Sequence, residues 1–426
     1  MRFRGGCGIL LAVTEHKEPL KEKDIIGLGH LKRALALLDH LRDVGTDRDK
    51  AGNRQLFFND YLKLVLLYTW NPLINSIDDL REAALLPNVA KVMGLKRFSA
   101  GSFSESVRIF DPQLLVPIIA ELAEDLLPQS LDPRLSEFKQ ALTLVDGTVV
   151  RGLPRLVQSA IGNEGRYTTT RDGKGVWGWR LHTQLDLRTL LPHRIDRTGA
   201  RNGGDQRESH HLAATLEAGR CYVCDCGYAD RKLFADIVEA QSSFVIRVPE
   251  NSVCQVLQQR PLSPEAVKAG VVSDALVELE EGQRVRRVEL KVAPHPRRKR
   301  CGVVQSEQII LYSSLLEMPA ELIALIYRYR YTVELFFRML KQLLGLRHLL
   351  SQRQEGIDIQ IYCALIVCIL IQQISGKKPN KALRNMIGWY LIGMASEQDV
   401  INFLNRPDNK GVKLRAKEQL WKKLGY

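Results

Sequence analysis

The stretch ALTLVDGTVV, residues 141–150, decides the fold class, because it is the first strand-like apolar run of the chain. Before it, residues 20–125 repeat their apolar residues at helical spacing, as in NDYLKLVLLYTW. After it, runs such as GVWGWRLHTQLDL, RCYVCDCG and SFVIRV are patterned like strands, and helical runs separate some of them. The pattern predicts an α/β protein, with a mixed sheet flanked by helices and a helical domain in front of it.

Changes of pattern divide the 426 residues into four predicted parts. They are an N-terminal extension at 1–19, a helical domain at 20–135, an α/β core at 136–375 and a basic helical region at 376–426. Within the core, residues 250–318 are patterned mostly as strands. The helical domain shows two short helices, a break at Gly94 and a serine-capped helix from about Ser102, a pattern typical of helix-turn-helix DNA-binding domains and of other small helical domains.

The excess of basic residues favours a polyanionic partner. Lys and Arg exceed Asp and Glu by 13, and the surplus is clustered at 281–300 and at 406–426. The most apolar run, residues 361–374, is shorter than a membrane span and is typical of a core helix. The first residues lack a convincing signal sequence, so we expect a cytoplasmic protein.

The eight cysteines show no disulfide framework, and one local cluster stands out. Cys221, Cys224 and Cys226 have the close spacing of zinc ligands, but a structural zinc site needs a second ligand pair at a set distance. Small cysteine side chains also pack well inside a strand. The role of the three thiols stays open at this point.

Two carboxylates follow strand-like runs, where open α/β sheets place their sites. Asp146 ends the apolar part of LVDGT, and Asp225 ends that of YVCDC. Each could instead be an ordinary turn residue. A third acid, Glu334, lies in the helical run YRYRYTVELFFRMLKQLLGLRHLL, which starts at residue 327. Three acids held together require cations, and carboxylate oxygens suit Mg²⁺ or Mn²⁺, so the trio predicts a two-metal phosphodiester site.

The helical run places its polar residues on one stripe. At about 100° per residue, Tyr327, Arg330, Glu334 and Lys341 share an arc of roughly 60°. An apolar stripe lies beside it and consists of Ile326, Val333, Phe337, Leu340 and Leu344. The alternative is an ordinary amphipathic helix with an Arg–Glu pair four residues apart.

These motifs resemble the DDE transposases of bacterial insertion elements, specifically the insertion-sequence-4 type. That family places its third acid in a pattern of Tyr, two residues, Arg, three residues, Glu, six residues, Lys, which this chain matches at every spacing. The family's DGT motif matches the residues from Asp146 on, and its D-x-G-Y-x-D…F motif matches those from Asp225 to Phe234. The following F-V-I-R motif ends at Arg247. The resemblance covers roughly residues 55–375.

The resemblance implies a ribonuclease-H-like catalytic core, with a mostly β insertion at about 250–318 between the second Asp and the Glu. Asp146, Asp225 and Glu334 would be the catalytic residues and would hold two Mg²⁺ ions, for which Mn²⁺ can substitute. DNA contacts are expected from Tyr327, Arg330, Lys341, Arg247 and the basic run Arg297, Arg298, Lys299 and Arg300. Double-stranded DNA, as terminal inverted repeats and target, is the expected partner. We further expect a homodimer on DNA and a nucleoid-associated protein of the bacterial cytoplasm.

Two departures from the family pattern concern DNA contacts. Many relatives have Arg after the second Asp, where this chain has Cys226. Some relatives use a Trp of the insertion to receive a flipped base, and no Trp lies in residues 250–318. The alternatives to a transposase are a metal-dependent nuclease without strand transfer and a non-catalytic DNA-binding protein of the same descent.

Overall fold

The computed structural model describes residues 29–44, 54–124, 131–151, 166–169, 175–199, 205–280, 282–292, 307–343, 353–375 and 381–406, and a few single residues between them. Within this part the chain forms two compact units. We call residues 111–369 the sheet unit, and residues 29–110 with 370–406 the helical unit.

The helices occur in both units. They are α1 (Gly29–Asp39), α2 (Leu41–Val44), α3 (Phe58–Trp70), α4 (Ile77–Ala84), α5 (Pro87–Met93), α6 (Ala100–Ser106), α7 (Leu115–Glu124), α8 (Asp205–Ala213), α9 (Arg231–Glu239), α10 (Pro264–Lys268), α11 (Ala320–Tyr329), α12 (Tyr331–Leu343), α13 (Gln354–Ser375), α14 (Lys381–Leu391) and α15 (Glu397–Leu404).

The strands of the described residues form one sheet in the sheet unit. They are β1 (Ala141–Arg151), β2 (Arg166–Thr169), β3 (Gly175–Asp186), β4 (Pro192–Gly199), β5 (Arg220–Cys224), β6 (Ser243–Val248), β7 (Gln255–Gln259), β8 (Val271–Glu278), β9 (Arg284–Val292) and β10 (Glu307–Ser313). Their order is β2-β3-β1-β5-β6-β10-β9-β8-β7, and β4 pairs with β3. β1, β5 and β6 run parallel, whereas all other pairs are antiparallel. The predicted mixed α/β architecture is confirmed.

β5 lies between β1 and β6 and is buried on both faces. The run RCYVCDCG was predicted as a strand from its polar and apolar alternation, but all residues from Cys221 to Cys224 have 0% exposure. Parallel strands in the middle of a sheet are covered on both sides, which removes the alternation. The aromatic rings of Phe234 on α9 and Phe244 on β6 stack at 4.8 Å within the same core.

The part of the chain at 250–318 forms β7, α10, β8, β9 and β10, as its strand-like pattern predicted. β10 pairs with β6, so these strands extend the sheet rather than form a separate one. β2 was not among the predicted strands, because it lies in a stretch rich in glycine and charged residues.

The helical unit combines the first described helices with the last ones. Its centre is α3, whose side chains are nearly all buried. The side chain of Asn71 donates to the carbonyl of Gly388 at 3.2 Å, and Arg384 donates to the carbonyl of Thr69 at 2.8 Å. The break at Gly94 is confirmed by its left-handed backbone, with φ of 67°. The next helix begins earlier than predicted, because Ser99 is the residue that caps it.

α13 contains the longest apolar segment. It has 22 residues, more than the 14 of the apolar run from which it was predicted. Within the described residues it is the one helix whose length and composition would suffice to cross a membrane, and 83% of its most apolar window is buried inside the protein. The burial agrees with the interpretation as a core helix.

Candidate active site

The register of two parallel strands brings the first two acids to the same edge of the sheet. Val145 of β1 pairs with Cys224, the last residue of β5, so Asp146 and Asp225 directly follow this pair along the chain. β1 continues to Arg151, which corrects the prediction that Asp146 ends its strand. The parallel pairing ends there, however, and the two carboxylates follow it as predicted.

The third acid comes from a helix that is interrupted just before it. The run at Tyr327 was predicted as one helix, but it forms α11 and α12 with Arg330 at the junction. There the backbone N–H of Arg330 donates to the carbonyl of Tyr327, three residues back, at 3.0 Å. Glu334 lies in the first turn of α12. Four of the five residues of the predicted apolar stripe are buried, and the fifth, Leu344, lies outside the described residues.

The guanidinium of Arg330 joins the three acids. One of its nitrogens donates to Glu334 at 2.7 Å. The other terminal nitrogen lies 3.8 Å from Asp225 and 4.0 Å from Asp146. The Arg330 side chain is only 16% exposed, so its charge is largely removed from water. The three predicted carboxylates therefore converge on one cationic position.

The electrostatics of Asp146 follow from its burial. Removal from water raises its pKa from 3.8 to about 6. The positive charge of Arg330 acts against this rise, whereas Asp225 and Glu334 add to it. A carboxylate in this situation gains from any further cation that approaches it.

Short local contacts orient the two aspartates. Asp146 accepts a hydrogen bond from the backbone N–H of Gly147 at 2.8 Å, and Asp225 accepts one from Cys226 at 2.6 Å. Asp225 thereby also caps the short 3₁₀ helix Cys226–Tyr228, so the turn role considered from the sequence coexists with its place in the site. A Cβ at position 147 would lie 2.9 Å from the carboxylate of Glu208, so any larger residue there would displace that side chain.

Sequence reasoning missed the buried Glu208 on α8. Its carboxylate is 7% exposed and forms an ion pair with Arg180 of β3, beside the strand that carries Asp146. The acid is one charge among several in RESHH, and no spacing to the other motifs distinguishes it. Only the fold shows that it is buried.

The other predicted DNA-binding residues differ in their surroundings. The ring of Tyr327 lies 5.9 Å from the Arg330 guanidinium, and its burial raises the pKa of its hydroxyl, which stays protonated. The charge of Arg247 on β6 acts on the same hydroxyl. Lys341 is partly exposed in the last turn of α12. The predicted basic run from Arg297 to Arg300 lies outside the described residues.

The donor set fits a divalent cation, although the geometry is centred on Arg330. Three carboxylates are the oxygen ligands that Mg²⁺ and Mn²⁺ prefer. Within the described ranges, no three acid, cysteine or histidine side chains are grouped closely enough to hold one ion. In this arrangement the cationic group between the three acids is Arg330.

Two thiols of the cysteine cluster, those of Cys221 and Cys224, are fully buried in β5. Burial raises the pKa of the Cys221 and Cys224 thiols, which keeps them protonated inside β5. Cys226 is half-buried in the turn after Asp225. Protonated, buried thiols pack as small apolar side chains.

Comparison with known proteins gives consistent results. The family described as transposase DDE domain matches residues 137–370, more than half of the chain. The putative transposase y4zB of Sinorhizobium fredii is 28% identical over 224 residues, which are 52% of this chain and 61% of that protein. A probable transposase for insertion sequence element IS5377 of Geobacillus stearothermophilus is 24% identical over 291 residues, 67% of this chain and 70% of that protein.

Among solved structures, a piggyBac transposase synaptic complex with hairpin DNA aligns with 92% of this chain and 84% of that chain. The sequence identity is 14% and the TM-score is 0.42. The chain spans less than two thirds of the length of y4zB. All three acids that converge on Arg330 lie inside the matched range, and DDE transposases generally use divalent metal ions. The chain belongs to the transposase DDE domain family.

Proposed function

We propose that this protein is a DNA transposase that cuts and joins the ends of an insertion element. The observation that carries the proposal is the convergence of Asp146, Asp225 and Glu334 on the single cationic group of Arg330. The acids come from two adjacent strands and a helix more than 100 residues further along the chain. The family match and the transposase names of the relatives support the same activity.

We assign the protein to the insertion-sequence-4 type with a ribonuclease-H-like core. The spacing of Tyr327, Arg330, Glu334 and Lys341 supports the subtype. The order β4-β3-β1-β5-β6, with β1, β5 and β6 parallel and β3 and β4 antiparallel to their neighbours, supports the core. β7 to β10, which continue the sheet before Glu334, correspond to the β insertion.

The reaction has two steps on phosphodiester bonds. In the first, water attacks the phosphorus at the element's end, and the bond to the 3′ oxygen breaks to leave a 3′-OH. In the second, that 3′-OH attacks a phosphodiester of the opposite strand or of the target, and the displaced oxygen leaves. Two Mg²⁺ ions at the carboxylates would activate the attacking oxygen and stabilise the leaving one.

The side chains of the site prepare these steps. Asp146 and Asp225 are fixed by hydrogen bonds from Gly147 and Cys226, so their oxygens are positioned before DNA arrives. The guanidinium of Arg330 can fork onto phosphate oxygens. Lys341, two turns of helix beyond Glu334, adds a second point charge on the same path.

The partner of the site is double-stranded DNA, as the element's terminal inverted repeats and as target. The excess of 13 basic residues supports this assignment. The basic run Arg297 to Arg300 would contact phosphates independently of sequence. A homodimer that holds two ends on DNA, in the bacterial cytoplasm near the nucleoid, completes the proposal.

The test is strand cleavage of DNA that carries the repeats flanking the reading frame. The variants Asp146→Asn, Asp225→Asn and Glu334→Gln should each lose Mg²⁺-dependent cutting and joining while DNA binding persists. Glu239→Gln, at an exposed acid that ends α9, is the matched control and should cut normally. Substantial metal-dependent cutting by any of the three site variants would contradict the assignment, and cutting without joining by the unaltered protein would identify a nuclease.

A further inference from the structure

A cavity of about 180 Å³ lies beside the acids, between the strands β9 and β10 and the helices α11 and α12. Residues of those strands and the end of α10 form one side. Tyr327, Arg328, Arg330 and Tyr331 form the other side. This space is many times the volume that a single water needs, so it can admit a phosphate group.

The lining of the cavity carries positive charge. Lys291, Arg328 and Arg330 contribute three cations, and none of the described residues that line it is acidic. Neither Lys291 nor Arg328 has a carboxylate partner within the part of the chain that the structure describes. The tyrosines Tyr327 and Tyr331 add hydroxyl groups, which can donate to an anion.

Backbone carbonyls fix the guanidinium of Arg328 and the strand that carries Lys291. The guanidinium of Arg328 donates to the carbonyl of Ala269 at the cavity wall. The backbone N–H of Lys291 donates to the carbonyl of Gly270 at 2.9 Å. Gly270 has a φ of 88°, a conformation that glycine adopts readily. The hydrogen bond to its carbonyl fixes the strand that carries Lys291.

Arg330 connects the cavity with the acids. It lines the cavity, and its guanidinium is within 4.0 Å of Asp146, Asp225 and Glu334. An anion in the cavity would therefore be separated from the acids by one side chain. A DNA strand that runs through the acids carries further phosphates on either side of the reacting one, and one of them would meet these cations.

We propose that the cavity is a phosphate-binding subsite, in which Lys291, Arg328 and Tyr331 hold a phosphate of the DNA strand next to the one that reacts. The proposal rests on the transposase function and extends the DNA path from Arg330 towards β9. It assigns a role in DNA binding to three residues outside the family motif. The contact is independent of base identity, since phosphate oxygens carry no sequence information.

The first arm of the test measures binding to duplex DNA of unrelated sequence by fluorescence anisotropy, over a salt series and in EDTA. Lys291→Ala and Arg328→Ala should each reduce the slope of log K against log salt by about 0.9, which corresponds to roughly eightfold weaker binding near 0.1 M salt. Lys291→Arg keeps the positive charge and should therefore show the slope of the unaltered protein. Lys232→Ala, at an exposed lysine of α9, is the matched control for general loss of charge and should change the slope much less.

The second arm locates the contact on a duplex that carries the flanking repeat. Methylphosphonates replace single phosphates on either side of the cut. One neutralised phosphate should weaken binding of the unaltered protein but have little further effect on Lys291→Ala. Additive losses at every position would overturn the proposal, and so would slopes equal to that of the Lys232→Ala control.

Two further outcomes separate this proposal from its premise. If the unaltered protein cuts DNA but the slopes match the control, the subsite is wrong and the transposase function stands. If the slopes and the methylphosphonate coupling agree but the protein never cuts, the subsite stands and the function falls. A third outcome concerns the ligand of the cavity itself. If Tyr331→Ala weakens DNA binding while Lys291→Ala and Arg328→Ala do not, the cavity binds a base and the phosphate assignment is wrong.

Discussion

Replacing Asp146 by Asn should make the protein more stable at neutral pH while it abolishes cutting. Burial raises the pKa of this carboxyl from 3.8 to about 6 in the folded protein. Because the folded state holds the proton more tightly than the unfolded chain, stability falls as pH rises between these two values. At about 1.4 kcal/mol per unit, the shift corresponds to about 3 kcal/mol at pH 7. The Asn variant has no charge to bury and should gain up to this amount.

The pH dependence distinguishes this mechanism from a general packing effect. Below about pH 4 the carboxyl of Asp146 is neutral in both states, so the unaltered protein and the variant should be equally stable. The difference should grow from about pH 4 to about pH 6 and then remain constant. Urea unfolding in EDTA, followed by circular dichroism across this range, measures it.

Asp132→Asn is a control of opposite sign in the same unit. The side chain of Arg134 donates to Asp132 at 2.8 Å and 2.9 Å and lowers the pKa of that carboxyl. Its stabilising contribution is present above pH 3.8 and is lost as pH falls, so Asp132→Asn should destabilise the protein at neutral pH. An Asp146→Asn variant that is no more stable than the unaltered protein at pH 7, or whose advantage is the same at pH 4, would refute the reasoning.

Three other substitutions test the packing and the site. The side chains of Arg286 and Asp274 form an ion pair and are both 4% exposed. Arg286→Met leaves the Asp274 carboxylate buried without its partner and should lower the free energy of unfolding, measured in urea, by about 3–5 kcal/mol. Adding Asp274→Leu should recover most of that loss. Gly388→Ala places a Cβ 2.5 Å from a backbone carbonyl of α3 and should cost roughly 1–3 kcal/mol. Gly101→Ala in α6 adds a Cβ whose nearest contact is the Ser99 hydroxyl at an ordinary 3.9 Å, so it should be neutral or stabilising. The Arg330→Ala variant should fold and nick the first strand but lose joining, because the guanidinium is needed to contact the phosphates of the DNA. Unchanged joining kinetics would show that the role of Arg330 is structural.

The positions of the acids could be predicted because they depend on short-range patterns. An apolar run followed by an acid indicates the end of a parallel strand pair, and Val145 and Cys224 do pair at that point. The place of Glu334 was indicated by helical periodicity, which put it beside a buried stripe. These signals are local, and each was readable from about ten residues.

The junction at Arg330 could not be predicted in the same way. The run from 327 has no Pro and no Gly before Gly345, so intrinsic preferences favour an uninterrupted helix. The interruption coincides with the contact of its guanidinium with three carboxylates from distant parts of the chain. Tertiary contacts of this kind override local propensity, and a single sequence does not show them.

The sequence also did not indicate which helices form the helical unit. Asn71 and Gly388 are 317 positions apart, and their hydrogen bond has no counterpart in any local pattern. The basic composition of residues 376–426 suggested a separate region, but composition does not indicate which helices pack together. Pairings over such separations depend on shape and on buried polar groups.

That helical unit has a consequence for synthesis on the ribosome. Its first segment ends at residue 110 and its second begins at residue 370, so the whole sheet unit is translated in between. At about 5–20 residues per second, the first helices wait roughly 13–52 s for their partners. During that interval the carbonyl of Thr69 and the side chain of Asn71 lack the donor and acceptor that α14 later supplies. The sheet unit, which contains all three acids, can therefore be complete before the helical unit, whose first helices still lack their partners.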